Sequence, residues 1–67
     1  MKITINGQEQ SSDPITLAQL IEQLGMKQDR VAVELNRNII RREKWPETNL
    51  AEGDRLEIVH FVGGGLS

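Results

Sequence analysis

The stretch ITLAQLIEQLG, residues 15–25, constrains the fold more than any other part of this 67-residue chain. Leu17, Leu20, Ile21 and Leu24 fall at i, i+3, i+4 and i+7, so a helix through them carries one apolar stripe. Both ends are marked. Thr16 with Gln19 three residues on forms a capping box, Ile15 and Leu20 stand where a hydrophobic staple joins them, and Gly25 occupies the left-handed position after the last turn. Such a stripe needs one apolar sheet face to cover it.

The segments on either side supply that sheet. KITINGQEQ alternates Ile3 and Ile5 with polar neighbours and then reaches Asn6-Gly7, the dipeptide that most readily takes the positive φ angles of a two-residue hairpin. The second arm, Gln8 to Ser12, is almost wholly polar and belongs at an edge. RVAVELN puts Val31, Val33 and Leu35 on one face of a strand, and NRN turns the chain into a short segment, IIRR, so a second hairpin is expected. From Glu43 to Asp54 the sequence reads as a long connection anchored by Leu50, with Trp45 before Pro46 packed down over one sheet edge. RLEIVHFV is apolar enough to be a strand buried on much of both faces. Lying beside the first strand, it would fill the sheet centre. The expected fold is α+β: a mixed sheet of four to five strands with one main helix packed across one face, the ubiquitin-like β-grasp arrangement. Residues 1–62 form one domain and 63–67 a flexible glycine-rich tail.

Composition narrows the function. A chain of this length supports one core and buries only roughly 60% of the surface its unfolded form exposes, so local signals must agree. No cysteine is present, which fits a reducing cytoplasm and excludes disulfides and thiolate metal sites. The formal charge of −2 has the wrong sign for a duplex-binding protein. No apolar run approaches the eighteen or so residues that span a bilayer, and Met1 to Gly7 carries no charged-then-apolar leader. The expectation is a cytoplasmic protein, monomeric when free, without nucleic-acid or membrane partners. His60 is the single histidine and has no second ligand at a recognisable spacing, so it reads as structural or partly exposed and no metal is expected. The scattered glutamates give no general acid and base. Arg37, Arg41, Arg42 and Lys44 concentrate positive charge, which reads first as a solvated hairpin face and second as an electrostatic docking patch.

The ending HFVGGGLS is the chemical puzzle. Three consecutive glycines have no packing value, but they offer the thinnest chain available and accept any sign of φ. A chain end made of bare backbone can thread a narrow channel into a partner's enclosed site. A carboxylate delivered there becomes reactive once its oxygen is made a good leaving group. Ordering such a tail costs on the order of 1–2 kcal/mol per residue, which contacts around the domain must offset. With Leu56 and Ile58 facing the helix, Val59 and Phe61 face the other way and are the candidate docking patch.

Four segments, ITINGQ, TLAQLIEQLG, VAVELNRNIIRRE and LAEGDRLEIVHFVGGG, together resemble the ThiS family of sulfur carriers over residues 1–65. The last, so near the end of so short a chain, is the most specific. The resemblance implies a carrier that has no active site and binds no cofactor of its own. Its terminal glycine, Gly65 here, is adenylated with ATP by an enzyme of the ubiquitin-activating type. The adenylate is then converted to a thiocarboxylate with sulfur from a donor protein, and a thiazole synthase receives the sulfur for thiamine. Gly63 and Gly64 would thread into the partner. This chain departs from the family pattern in that Leu66 and Ser67 follow Gly65. Removal by a peptidase, vector-derived residues and lost activity are the three expectations, in that order. A molybdopterin-type carrier is the alternative within the same chemistry, and a ubiquitin-like binding module without an activated terminus is the alternative outside it.

Overall fold

The computed structural model describes residues 1–61. Val62 to Ser67 lie outside them, and with them the expected boundary at residue 62 and the tail residues Gly63, Gly64, Gly65, Leu66 and Ser67.

Five strands form one sheet: β1 (Lys2–Ile5), β2 (Gln8–Ser11), β3 (Val31–Leu35), β4 (Asn38–Ile39) and β5 (Arg55–His60). Their spatial order is β2-β1-β5-β3-β4, with β5 parallel to β1 and every other pair antiparallel. The helix α1 (Leu17–Gln23) contributes Leu17, Leu20 and Ile21 to a core completed by Ile3, Ile5, Val31, Val33, Leu56 and Ile58 from the sheet. This is the β-grasp layout expected, with the last strand at the centre. The polar β2 lies at the edge and is exposed along its whole length.

The helix ends are built as the sequence predicts. Thr16 Oγ1 accepts from the Gln19 amide at 3.2 Å, and Gln19 Oε1 accepts from the Thr16 amide at 2.9 Å. At the other end Gly25 has φ +74°, its amide donates to the Glu22 carbonyl and the Met26 amide donates to that of Ile21. That pair of bonds is a Schellman motif, which satisfies carbonyls the helix would otherwise leave open.

Four details depart from the sequence expectation. Leu24, the last member of the helix stripe, is 36% exposed, because α1 ends before it and the sheet beneath that end is the polar β2. The segment expected as plain connection contains a 3₁₀ turn at Arg42–Glu47. It drives Trp45 into the core, 1% exposed, with its Nε1 donating to the Ile40 carbonyl at 2.8 Å. The short fourth strand is Asn38–Ile39, not IIRR, and Ile39 points outward. Finally, β5 is buried on one face only: Leu56 and Ile58 face the helix, while Arg55, Glu57 and Val59 are exposed. The single helix can cover only one face of a two-layer fold, so apolar residues on the other face stay in solvent.

Candidate functional site: the open sheet face

Register identifies the residues that share the uncovered face. Val59 stands opposite Ala32, Glu57 opposite Glu34, and Glu34 opposite Ile39, so these five project to the side away from α1. Val59 is 60% exposed and Ile39 77% exposed. Together with Ala32, Glu34 and Glu57 they line one shallow depression. Phe61, half-buried, follows the last residue of β5. Of the predicted pair, Val59 is therefore on the open face, and the structure adds Ile39 and Ala32 to it. Arithmetic on the second turn is the signal that would have found Ile39. A two-residue loop at Asn36-Arg37 pairs Asn38 with Leu35 and Ile39 with Glu34, whereas a turn read as NRN hides that register.

The course of β5 toward the glycines is held from both sides. On the β3 side the ladder runs past the strand, with the Phe61 amide donating to the Arg30 carbonyl at 2.8 Å. On the other side β1 has already ended, and Asn6 takes over the ladder. Its backbone amide donates to the Leu56 carbonyl at 2.9 Å. Its side chain then accepts from the Ile58 amide at 2.8 Å and donates to the Ile58 carbonyl at 3.2 Å. Two bonds from one side chain imitate a paired strand residue, and they fix the segment that leads into Val59, His60 and Phe61. This role of Asn6 is not legible in the sequence, where Asn6-Gly7 reads only as a turn.

His60 is exposed and lies opposite Val31 at the start of β3. Among the described residues no three His, Cys, Asp or Glu side chains come together to hold a metal ion. No helix among them is long and apolar enough to cross a membrane. The basic side chains of Arg37, Arg41, Arg42 and Lys44 are all exposed. Arg41 pairs with Glu43 and Lys44 with Glu47, each at 3.9 Å, while Arg37 stands apart on the β3–β4 turn with Arg55. The face thus offers an apolar centre, a mixed-charge end at the turn, and a strand directed into the glycine run.

Comparison with known proteins adds four findings. The model of the ThiS family matches residues 3–65, which takes in all three glycines of the tail. The sulfur carrier protein ThiS of Bacillus subtilis (strain 168) is 37% identical over 65 residues, covering 94% of this chain and 98% of that one. A thiazole synthase of Paramagnetospirillum magneticum is 41% identical over 66 residues, 97% of this chain, which spans only 20% of that longer protein. Among solved structures, the crystal structure of the thiamine biosynthesis protein (ThiS) from Geobacter metallireducens superimposes with a TM-score of 0.83. It is 33% identical and is covered over 100% of its length by 97% of this chain.

Proposed function

The chain belongs to the ThiS family, and on that footing we propose that it is a sulfur carrier protein of thiamine biosynthesis, charged at the carboxylate of Gly65. The observation that carries the reading is the family match through Gly65 on a fold whose central strand leads into the glycine run. The carboxylate oxygen attacks the α-phosphorus of ATP on an adenylating enzyme of the ubiquitin-activating type, and pyrophosphate leaves. Sulfide, HS⁻, released by a donor protein then attacks the acyl carbon, AMP departs with loss of one proton, and a thiocarboxylate remains for delivery to a thiazole synthase. The carrier acts as co-substrate: ATP is bound by the activating partner, and the chain itself supplies backbone, a docking face and the acyl carbon. These reactions belong to the cytoplasm.

Each part of the chain has a place in this scheme. Gly63 and Gly64 thread the partner's channel because a backbone without Cβ atoms is the narrowest that can enter. Val59, with Ile39 and Ala32 beside it, and Phe61 bury apolar surface against the partner and offset the entropy of ordering the tail. In this sequence Gly65 is amide-linked to Leu66, so charging requires that bond to be hydrolysed first. Relatives of matching length include sulfur carrier proteins named ThiS, and a similar solved structure is that of a thiamine biosynthesis protein, which favours that branch over a molybdopterin-type carrier.

Intact mass spectrometry tests the reading. A chain ending at Gly65 is incubated with the adenylating enzyme of the same genome, ATP and a sulfur donor. The expected result is replacement of one oxygen by sulfur, with the chain ending at Ser67 left uncharged. A folded Gly65-ended chain that keeps its mass while a glycine-ended relative is thiolated would overturn the carrier assignment and leave a ubiquitin-like binding module.

A further inference from the structure

Asparagine occurs in this chain as Asn6, Asn36, Asn38 and Asn49, followed in turn by glycine, arginine, isoleucine and leucine. An asparagine carboxamide is open to attack by the backbone nitrogen of the next residue, and a following glycine, with no Cβ, permits the closest approach. Asn6-Gly7 is therefore the dipeptide in this sequence best suited to spontaneous loss of a side-chain amide. What the fold does with that side chain decides when the reaction runs.

In the folded chain the Asn6 carboxamide is engaged at both ends. Oδ1 accepts from the Ile58 amide at 2.8 Å, and Nδ2 donates to the Ile58 carbonyl at 3.2 Å. The Asn6 backbone amide donates to the Leu56 carbonyl at 2.9 Å, and the main chain is left-handed at both Asn6 (φ 49°) and Gly7 (φ 83°). The parallel pairing of β1 with β5 stops at Ile5 opposite Leu56, so beyond it the Asn6 side chain holds this edge of β5. Two bonds to one residue fix both the position and the plane of the carboxamide. Ring closure has to swing Cγ onto the Gly7 nitrogen, which takes the group off Ile58.

We propose that Asn6 is a spontaneous modification site gated by the end of β5: the carboxamide reacts when its bonds to Ile58 have opened, and the product keeps them from closing again. The Gly7 nitrogen attacks Cγ and gives up its proton, the bond from Cγ to Nδ2 breaks, and ammonia leaves behind a cyclic imide. Water then adds to one of the two ring carbonyls, and the bond from that carbon to nitrogen breaks. Opening at Cγ yields aspartate at position 6. Opening at the α-carbonyl yields isoaspartate, whose main chain runs through the side-chain methylene.

Both products lack Nδ2, the donor to the Ile58 carbonyl. Aspartate retains an acceptor for the Ile58 amide and a turn of unchanged length. Isoaspartate adds a main-chain atom to the tight loop that sets Ile5 opposite Gln8, so the hairpin and the bond to Leu56 are not both kept. The end of β5 is then held from the β3 side alone, where the Phe61 amide donates to the Arg30 carbonyl at 2.8 Å. Opening permits the reaction and the reaction prevents closing, so each copy records how long the end of its central strand has been released.

Ile58 supplies an internal gauge, because its amide donates to Asn6 Oδ1 and exchanges with solvent when that bond opens. The full chain is aged in warm, mildly alkaline buffer with and without urea. Peptide mass mapping that resolves isoaspartate from aspartate reads each asparagine, and NMR reads hydrogen exchange at Ile58. The reaction should be fastest at Asn6 and roughly 10–100-fold slower in the folded chain than in the unfolded one, the factor that two ordinary hydrogen bonds give. That factor should match the protection of the Ile58 amide within about threefold. Isoaspartate-bearing chains, separated by their added negative charge, should exchange the Ile58 amide at least about tenfold faster than the parent while the α1 amides keep their protection. Gly7→Ala, which sets a Cβ beside the attacking nitrogen, should slow the reaction in urea; an unchanged rate there would rule out ring closure as the route. Equal rates in folded and unfolded chains, or a faster reaction at Asn36, Asn38 or Asn49, would overturn the proposal. So would a rate that follows the most protected core amides instead of Ile58, since global unfolding would then be the gate. Isoaspartate-bearing chains that keep Ile58 protected would overturn the claim that the product holds the strand end open.

Discussion

Asn6 serves the first hairpin and the last strand at once, although 52 positions separate it from Ile58. Its left-handed φ is the turn requirement that the dipeptide Asn6-Gly7 announces. The pairing with Ile58 depends on β5 lying parallel to β1, which no local pattern reports. Replacing Asn6 with Ala leaves the Ile58 amide and carbonyl without their partner and should cost about 1–3 kcal/mol in urea unfolding. Asn6→Asp, which keeps the acceptor and loses the donor, should fall between the two. Trp45 is a similar case. Its sequence context of turn residues predicts a ring laid over a sheet edge, whereas the 3₁₀ turn inserts it into the core and satisfies Nε1 on Ile40. Trp45→Ala should therefore cost about 3–5 kcal/mol, the range for emptying a large core position.

The helix was the most legible element because every signal that defines α1 lies within eleven consecutive residues, 15–25. Thr16→Ala removes the acceptor for the Gln19 amide and should lower stability by about 1 kcal/mol. Gly25→Ala meets no neighbouring atom, so its cost of about 1–2 kcal/mol would come from the left-handed backbone alone. Equilibrium unfolding of both variants checks the caps separately. The central strand was less legible. Apolar content in RLEIVHFV reads equally well as burial on both faces or as one core face plus one binding face. Only the register, with Val59 opposite Ala32 on the side α1 does not cover, separates the two. The 3₁₀ turn at Arg42–Glu47 was missed because so short a segment has no periodicity to detect.

Among the described residues, one helix on five strands leaves one sheet face without cover, and the carrier reading puts that face against a partner. Ile39→Asp and Val59→Asp change side chains that are already in solvent, so each should alter stability by no more than about 0.5 kcal/mol. Both should slow thiocarboxylate formation by the adenylating enzyme, measured as the rate of mass change with the folded state verified in parallel. Equal loss of stability and charging would instead mark the two residues as structural. The amino-acid order alone settles what each segment is: one capped amphipathic helix, strands with marked turns, and a run of three glycines, Gly63 to Gly65, without side chains. Those properties are written in neighbouring residues, where caps, alternation and backbone freedom act over a few positions. Which apolar residues of the centre strand remain exposed, why Asn6 grips Ile58, and how Ile39 comes to share a face with Val59 follow from packing. They depend on pairings between residues that are tens of positions apart, and those contacts exist only once the sheet has closed around β5.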